Sequence, residues 1–218
     1  MSKMPYKIIK RVFDILISLL LLLIAFPFLL IVSIIIWLTD RGEIYVKDPL
    51  RIGQGGKEFR MYKFRSMIPN AHKEILHNPK YAELKKKWQS NGNKLKIKDD
   101  SRVTWIGKLL RSTDMDELPQ LLNVLKGDMS IIGPRPLYRT ELDEHLKSHP
   151  KDKKYLEDIL FVKPGITGIW QVSGRNKIPL SQRLKMEAQY SKNINLLTDI
   201  KILLKTPLVV ITRRGAYE

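Results

Sequence analysis

An uncharged apolar run from Ile15 to Leu38 is the feature that most restricts how this chain folds. At about 1.5 Å per residue, a helix of this length reaches about 36 Å, which exceeds the ~30 Å hydrocarbon core of a bilayer. Pro27 lies within the run, and a proline inside a helix removes one backbone N–H and bends the axis. The run therefore predicts a membrane-inserted helix with a kink at Pro27.

Basic residues flank this run on both sides. They are Lys3, Lys7, Lys10 and Arg11 before it, and Arg41, Lys47, Arg51, Lys57 and Arg60 after it. Positively charged flanks stay on the cytoplasmic side of a membrane, so both helix ends are expected on the same side. We therefore predict a reentrant helix that enters one leaflet, bends and returns. A single-pass anchor remains the alternative, whereas a cleaved signal peptide is disfavoured because its apolar core is only ~7–15 residues long.

The charge balance indicates anionic partners. Lysine and arginine total 39 against 22 aspartates and glutamates, so the formal net charge is +17 and nucleic acid, acidic lipid and phosphorylated small molecules are all candidates. The absence of cysteine excludes a disulfide framework, a thiolate zinc site and a cysteine nucleophile. A length of 218 residues suits one compact catalytic domain. The apolar run sets its boundary, so we predict residues 1–40 as the membrane helix with its basic flank and residues 41–218 as that domain.

The remaining chain predicts an α+β fold that is mainly helical. Residues 43–47 and 57–65 read as the two strands of a small β-hairpin, with residues 51–56 as a flexible glycine-rich turn between them. Residues 94–98 read as an extended segment and residues 163–165 as a turn. Helices are expected over residues 70–90 with a break near Asn78, over 105–111, 181–192 and 196–212. The first and last of these helices are amphipathic, so they either lie at the bilayer surface as interfacial helices or pack on the domain, because both arrangements share one period.

Two adjacent carboxylates, Asp116 and Glu117, are predicted in the first turn of an apolar helix that Ser112 or Asp114 caps and Gly127 ends. An isolated pair of this kind would be explained by the helix dipole, which stabilises such anions by ~0.3–1 kcal/mol. Neighbouring carboxylates also suit Mg²⁺, which binds substrate phosphates. An ionised aspartate beside that cation is able to attack phosphorus and form an acyl phosphate.

Cationic side chains near this pair favour the phosphate chemistry. Arg111 precedes the pair, and Arg135 lies between Pro134 and Pro136, which restrict the backbone that presents its guanidinium group. In the hairpin, Lys63 and Arg65 are further phosphate candidates, although charged residues on an edge strand also serve to prevent aggregation.

Three motifs together resemble a known family. They are Tyr62-Lys-Phe-Arg-Ser-Met67, the run from Arg111 to Pro136 that contains Asp-Glu-Leu-Pro-Gln, and the run from Val162 to Asn176 that contains Ile-Trp-Gln-Val-Ser-Gly-Arg-Asn. Over nearly the whole chain they resemble the bacterial sugar transferases, the monotopic phosphoglycosyl transferases. The resemblance implies transfer of a sugar 1-phosphate from a UDP-sugar to undecaprenyl phosphate with release of UMP. It also implies a reentrant membrane helix and a catalytic domain on the cytoplasmic face of the inner membrane.

The same resemblance implies roles for individual residues. Asp116 would be the nucleophile that carries the phosphosugar, Glu117 and Asp116 would bind Mg²⁺, and Arg111 would steady Asp116. The implied substrate-binding residues are Lys63, Arg65, Pro134, Arg135, Pro136, Arg175 and Asn176. The segment between Met67 and Ser101 and residues 213–217 resemble the members that use galactose or glucose 1-phosphate. N-acetylated and diacetamido sugars remain open.

Two other classes of function are weighed against this one. A membrane-tethered nucleic-acid-binding module would explain the charge, but the sequence shows neither a recognition-helix pattern nor an aromatic–basic ribonucleoprotein signature. A non-catalytic assembly factor would be expected to lose part of the carboxylate pair, which is intact. The expected partners are a UDP-sugar, undecaprenyl phosphate and anionic membrane lipid, with no nucleic acid, and a homo-oligomer is left open. The four histidines show no metal-site spacing and receive no role.

Overall fold

The computed structural model describes residues 3–40, 42–46, 49–90, 95 and 97–212. Its first element, α1 (Lys3–Asp40), is one continuous helix that includes Pro27. Within it, Tyr6–Thr39 is long and apolar enough to cross a membrane by its length and composition. The predicted apolar helix is therefore confirmed, and the bend at Pro27 stays a prediction.

The rest of the described chain is mainly helical. The elements are β1 (Arg51–Ile52), β2 (Glu58–Phe59), α2 (Ala71–His77), α3 (Ala82–Ser90), α4 (Trp105–Ser112), α5 (Gln120–Lys126), β3 (Ser130–Ile132), α6 (Arg139–Ser148), α7 (Leu156–Leu160), β4 (Gly165–Thr167), α8 (Ile169–Ser173), α9 (Leu180–Lys192) and α10 (Leu196–Thr212). The predicted break near Asn78 and the two carboxy-terminal helices are confirmed.

The β-structure is small. The predicted pairing of residues 43–47 with residues 57–65 is present only as one antiparallel bridge, Tyr45 with Phe64. Strands β1 and β2 also pair antiparallel, over two residues each, so the prediction of a turn at Arg51 and Ile52 is wrong. Strands β3 and β4 pair in parallel, with Ser130 opposite Gly165, so the prediction of a simple turn at residues 163–165 is wrong at its last residue. The prediction of an extended segment over residues 94–98 is wrong at its carboxyl end, where Ile97–Asp99 is a 3₁₀ turn, while residues 94 and 96 lie outside the described residues.

Both halves of α1 pack on the same domain. Before Pro27, Ile17 and Leu22 contact the core cluster that contains α5 and β3. After it, Val32 and Ile36 are buried in a second cluster. The other buried members of that second cluster are Phe64, Ile106 and Leu110. Helix α1 is therefore packed against the rest of the described chain along both halves rather than set apart from it.

Buried polar contacts join the first half of α1 to the domain. The Asp14 carboxylate, which is 5% exposed, accepts hydrogen bonds from the Ile131 backbone N–H at 2.9 Å and the Ser130 hydroxyl at 3.0 Å, both in β3. Lys10 forms an ion pair with Asp199 in α10. A charged side chain inside an apolar helix is costly unless it is paired, so these contacts specify where α1 docks.

Exposed apolar side chains continue from α1 onto two other helices. In α10, Leu197, Leu204, Leu208 and Ile211 are each more than 60% exposed and are spaced so that they share one face. In α4, Trp105 and Leu109 are also exposed. By contrast, the stripe predicted over residues 81–88 packs at least partly on the domain, because Tyr81 is buried and Trp88 is half-buried.

Candidate active site

The two predicted catalytic carboxylates lie on a 3₁₀ turn, Met115–Glu117, and not in the first turn of α5, which begins only at Gln120. That part of the sequence prediction is wrong, because the Leu118 N–H bonds to the Met115 carbonyl in 3₁₀ spacing and Pro119 has no N–H with which to extend α5 backward. The left-handed backbone of Asp114 (φ 56°) separates the same turn from α4. Neither predicted cap is formed: the Asp114 side chain makes no capping bond, and the Ser112 hydroxyl donates back to a carbonyl of α4. The predicted end of α5 at Gly127 is confirmed by a left-handed φ of 93°.

Asp116 is held in place by its backbone and paired through its side chain. Its carbonyl accepts the Phe64 N–H at 2.9 Å, and its side chain is 2% exposed. Oδ2 lies 2.8 Å from Lys63 Nζ, yet it accepts no hydrogen bond of regular geometry from the residues that the structure describes. The carboxylate is thus neutralised by a cation while one oxygen retains acceptor capacity.

Glu117 is paired with two cations. Arg135 binds it in a bidentate manner, with Nη2 2.9 Å from Oε1 and Nη1 3.3 Å from Oε2, and Lys63 Nζ lies 3.4 Å from Oε1. Burial alone would raise the pKa of Glu117, but Arg135 and then Lys63 outweigh it and hold that pKa well below its usual range. For Lys63, burial lowers the pKa and the two carboxylates raise it further than burial lowers it. Both groups are therefore charged at neutral pH.

The backbone of Arg135 is held from both sides by α9. Its N–H donates to Glu187 Oε1 at 2.9 Å, and its carbonyl accepts from Arg183 Nη2 at 2.7 Å. Arg183 and Glu187 also pair with each other, with Nε 3.3 Å from Oε2, and both are buried. Sequence reasoning missed these two residues, because an Arg and a Glu four positions apart in a helix usually form an exposed pair.

The flanking prolines and Arg65 are placed away from the substrate-sized cavity described below. Pro134 and Pro136 line a small separate void of about 20 Å³, and their carbonyls accept hydrogen bonds that shape the loop. The Arg65 guanidinium is buried against the backbone of Gly42. The structure thus brings Arg135 to the cavity but not these three, and their contact with substrate stays a prediction.

Arg111 and Arg175 line the same cavity as the two carboxylates and come from two other segments of the chain. Arg111 Nε donates to the Ser66 hydroxyl at 2.9 Å, and Arg175 Nη2 donates to Asp114 Oδ2 at 2.6 Å. Arg175 also has a left-handed backbone, with a φ of 50°. Asn176, next to it, is exposed. Both arginines and Asn176 reach the same cavity wall.

One cavity of about 920 Å³ contains the site. Its charged and polar lining includes Lys63, Arg111, Asp114, Asp116, Glu117, Arg135, Arg175 and Asn176. Its apolar lining includes Leu21 of α1 and Leu203, Pro207, Val209 and Val210 of α10. Trp170, which sequence reasoning did not select, also lines it and has the Arg183 guanidinium 4.6 Å from its ring centroid. The cavity lining thus combines charged side chains that suit a phosphate ligand with apolar side chains of α1 and α10, two helices with much exposed apolar surface.

The donor atoms suit Mg²⁺ that arrives with a phosphate ligand. In the described part of the chain, no cluster of three or more His, Cys, Asp or Glu residues could hold a metal ion. Magnesium, however, commonly uses one or two carboxylates together with substrate phosphates and water. Asp116, whose Oδ2 is paired with Lys63 at 2.8 Å, and the adjacent Glu117, whose two oxygens Arg135 binds, are the carboxylates that would share that mode of binding.

Comparison with known proteins agrees with this site. A family model described as bacterial sugar transferase matches residues 5–213. The chain belongs to the bacterial sugar transferase family.

Several relatives cover all or nearly all of this family member. It is 41% identical to the undecaprenyl-phosphate galactose phosphotransferase of Salmonella typhimurium, over 100% of the chain and 43% of that relative. It is 38% identical to the exopolysaccharide production protein ExoY of Sinorhizobium fredii, over 95% of the chain and 88% of the relative. It is 36% identical to the UDP-N-acetylgalactosamine-undecaprenyl-phosphate N-acetylgalactosaminephosphotransferase of Aeromonas hydrophila, over 97% of the chain and 45% of that relative. The chain therefore spans less than half the length of the first and third of these relatives.

Proposed function

We propose that this chain transfers a sugar 1-phosphate from a UDP-sugar to undecaprenyl phosphate and releases UMP. The observation that carries this proposal is the double lining of one cavity, with carboxylates and five cationic side chains in one set of residues and apolar side chains of α1 and α10 in the other. A water-soluble diphosphate donor needs the first lining, and a lipid acceptor needs the second. The names of two relatives, each of which combines undecaprenyl phosphate with a sugar phosphotransferase, support the same pairing.

In the first step, an Asp116 carboxylate oxygen attacks the phosphorus atom that bears the sugar. The new Asp–O–P bond replaces the P–O bond to UMP, which leaves with the electron pair of the broken bond. Lys63 Nζ lies 2.8 Å from Oδ2 before the reaction. As Asp116 becomes esterified and loses its negative charge, Lys63 would pair with the phosphate oxygens instead. Mg²⁺ held by Asp116 and Glu117 would neutralise charge on the donor phosphates.

In the second step, a phosphate oxygen of undecaprenyl phosphate attacks the same phosphorus. The Asp116–O–P bond breaks, the carboxylate is restored, and the product is a diphosphate-linked lipid sugar. Arg135 keeps its orientation through both steps, because Glu117 holds its guanidinium and α9 holds its backbone. A fixed cation stabilises developing phosphate charge without having to reorganise.

We propose galactose or glucose as the sugar, in a first membrane step of polysaccharide or glycoconjugate assembly. The galactose-named relative and the exopolysaccharide relative support this choice, and the N-acetylgalactosamine-named relative supports the alternative, an N-acetylated or diacetamido sugar. Discrimination between sugars that differ in one substituent depends on few pocket contacts, so a panel of donors is the appropriate test.

We propose that the protein lies on the cytoplasmic face of the inner membrane, with α1 entering and leaving one leaflet. Asp14 and Val32, on opposite sides of Pro27, are both buried against the same domain. A straight spanning helix would carry these contact points to different depths of the bilayer, and the domain would have to follow them. The exposed apolar faces of α4 and α10 would then rest in the interface.

The central experiment incubates the solubilised protein with undecaprenyl phosphate, Mg²⁺ and a panel of UDP-sugars. We expect UMP from one donor or a small group of donors. Release of UDP would indicate ordinary glycosyl transfer, and the absence of any nucleotide release would favour a non-catalytic assembly factor.

The nucleophile is tested with Asp116→Asn. We expect UMP release to fall by roughly 10⁴-fold or more and the trapped phosphosugar adduct to disappear, because an amide cannot form the ester. The matched control is Asp143→Asn, which removes a carboxylate from the exposed face of α6 and should leave both readouts unchanged. An undiminished adduct in the first variant would exclude Asp116 as the nucleophile.

A further inference from the structure

Three acids on one short segment each hold a cation from a different part of the chain. The pairs are Asp116 with Lys63 at 2.8 Å, Glu117 with Arg135 at 2.9 Å and Asp114 with Arg175 at 2.6 Å. The proposed reaction uses Asp116 as nucleophile and Glu117 for Mg²⁺ and for orienting Arg135. It gives no task to Asp114, although Asp114 lines the same cavity.

The Asp114–Arg175 pair has an unusual backbone on both sides. The two residues are 61 positions apart, and both are non-glycine residues with left-handed φ values, 56° and 50°. Such a backbone is unfavourable for ordinary residues and persists only where surrounding contacts offset its cost. The ion pair is a contact shared by both residues, so it contributes to holding the two loops in this arrangement.

The two partners differ in their access to solvent. The Asp114 side chain is 37% exposed and the Arg175 side chain only 14%. If the pair separated, Asp114 could be hydrated by a small side-chain rotation, whereas the charge of Arg175 would stay near the cavity wall. Loss of the pair therefore costs the more buried Arg175 more hydration than it costs Asp114, so Asp114 is the partner that is more easily replaced.

We propose that Asp114 is a latch that occupies Arg175 until the diphosphate group of the donor displaces it. The inference rests on the proposed function, because it assigns Arg175 to that diphosphate. On binding, a phosphate oxygen takes the position of Asp114 Oδ2 on the guanidinium group, and Asp114 turns to solvent. When UMP leaves, the carboxylate returns and helps to expel it. Asp114 is thus a positioning residue that regulates donor affinity and does not touch the reacting atoms.

The first test measures binding of UDP to the solubilised protein by calorimetry, without turnover. Asp114→Asn removes the competing charge, and asparagine tolerates the left-handed backbone. Partly exposed ion pairs of this kind have small energies, so we expect the dissociation constant for UDP to fall by about 2–5-fold. If Asp114→Asn does not fold, Asp114→Gly has the same expected result, because glycine adopts this φ without strain.

The matched control separates the latch from general electrostatics. Glu58→Gln removes one negative charge from an exposed pair with Arg139, outside the cavity lining, and should leave the UDP dissociation constant unchanged. Arg175→Gln should weaken UDP binding, and Asp114→Asn should add nothing in that background.

An unchanged dissociation constant in Asp114→Asn would overturn the latch, as would an equal gain in the Arg175→Gln background. Failure of the proposed function is distinguishable, because it would appear as absence of UMP release by the wild-type protein in the turnover assay.

Discussion

The docking of α1 through Asp14 leads to the most specific prediction. Asp14→Leu preserves the approximate size and apolar character of the helix but removes Oδ1, the oxygen that accepts from both the Ser130 hydroxyl and the Ile131 N–H. A hydrogen bond to a charged group contributes roughly 1.5–3 kcal/mol, and the two together about 3–6 kcal/mol. Removing the buried carboxylate also removes its desolvation cost, so we expect a net loss of about 2–4 kcal/mol in the free energy of unfolding.

The loss is measurable as a thermal shift in detergent. For a chain of this size, about 2–4 °C accompanies each kcal/mol, so the melting temperature should fall by roughly 5–15 °C. Asp14→Asn keeps an oxygen in the position of Oδ1 but loses the negative charge, so its melting temperature should lie between those of the wild type and Asp14→Leu. Leu16→Val, at an exposed position of the same helix, should shift stability by less than about 0.5 kcal/mol. If Asp14→Leu were as stable as Leu16→Val, α1 would be an independent anchor and the packing argument would be refuted.

Two further predictions concern acid stability and topology. The pKa of Glu117, raised by burial but lowered further by Arg135, lies below its ordinary value. Ionised Glu117 therefore contributes to the free energy of unfolding above about pH 4.3, and this contribution is lost progressively as the pH falls below that value. Glu117→Gln should flatten the urea-unfolding free energy between about pH 4.5 and 2, and parallel profiles would contradict this. Because the chain contains no cysteine, Lys7→Cys and Glu43→Cys give single labelling sites, and an impermeant thiol reagent should reach both from the cytoplasmic side only. Labelling from opposite sides would indicate a spanning helix.

Much of the local structure could be predicted because it depends on residues close together in the chain. The apolar run forms α1, the break near Asn78 separates α2 from the next helix, and Gly127 ends α5 with a left-handed backbone. Prediction failed at the carboxylate turn. Pattern reasoning extended α5 backward over Asp116, whereas the left-handed Asp114, paired with distant Arg175, starts a separate turn.

The parallel pairing of β3 with β4 could not be predicted either, because it also joins segments that are distant in the chain. Strand β3 and β4 have three residues each, which is too short for a periodic pattern, and they are joined only through the tertiary fold. The helices between them could not indicate which strand pairs with which. Short strands are stabilised by their neighbours rather than by intrinsic preference, so sequence alone does not assign them.

The sequence by itself determined the long apolar helix, the mainly helical fold, the carboxylate pair and the basic residues that surround it. Only the tertiary structure decided which of those charges meet. It joins Asp14 to Ile131 across 117 positions, clamps Arg135 between two residues of α9, and brings Lys63 but not Arg65 to the cavity. The physical reason is that a charged side chain looks the same in sequence whether it is solvated or buried. Its partner, which decides between the two, is chosen by packing between segments that are distant in the chain.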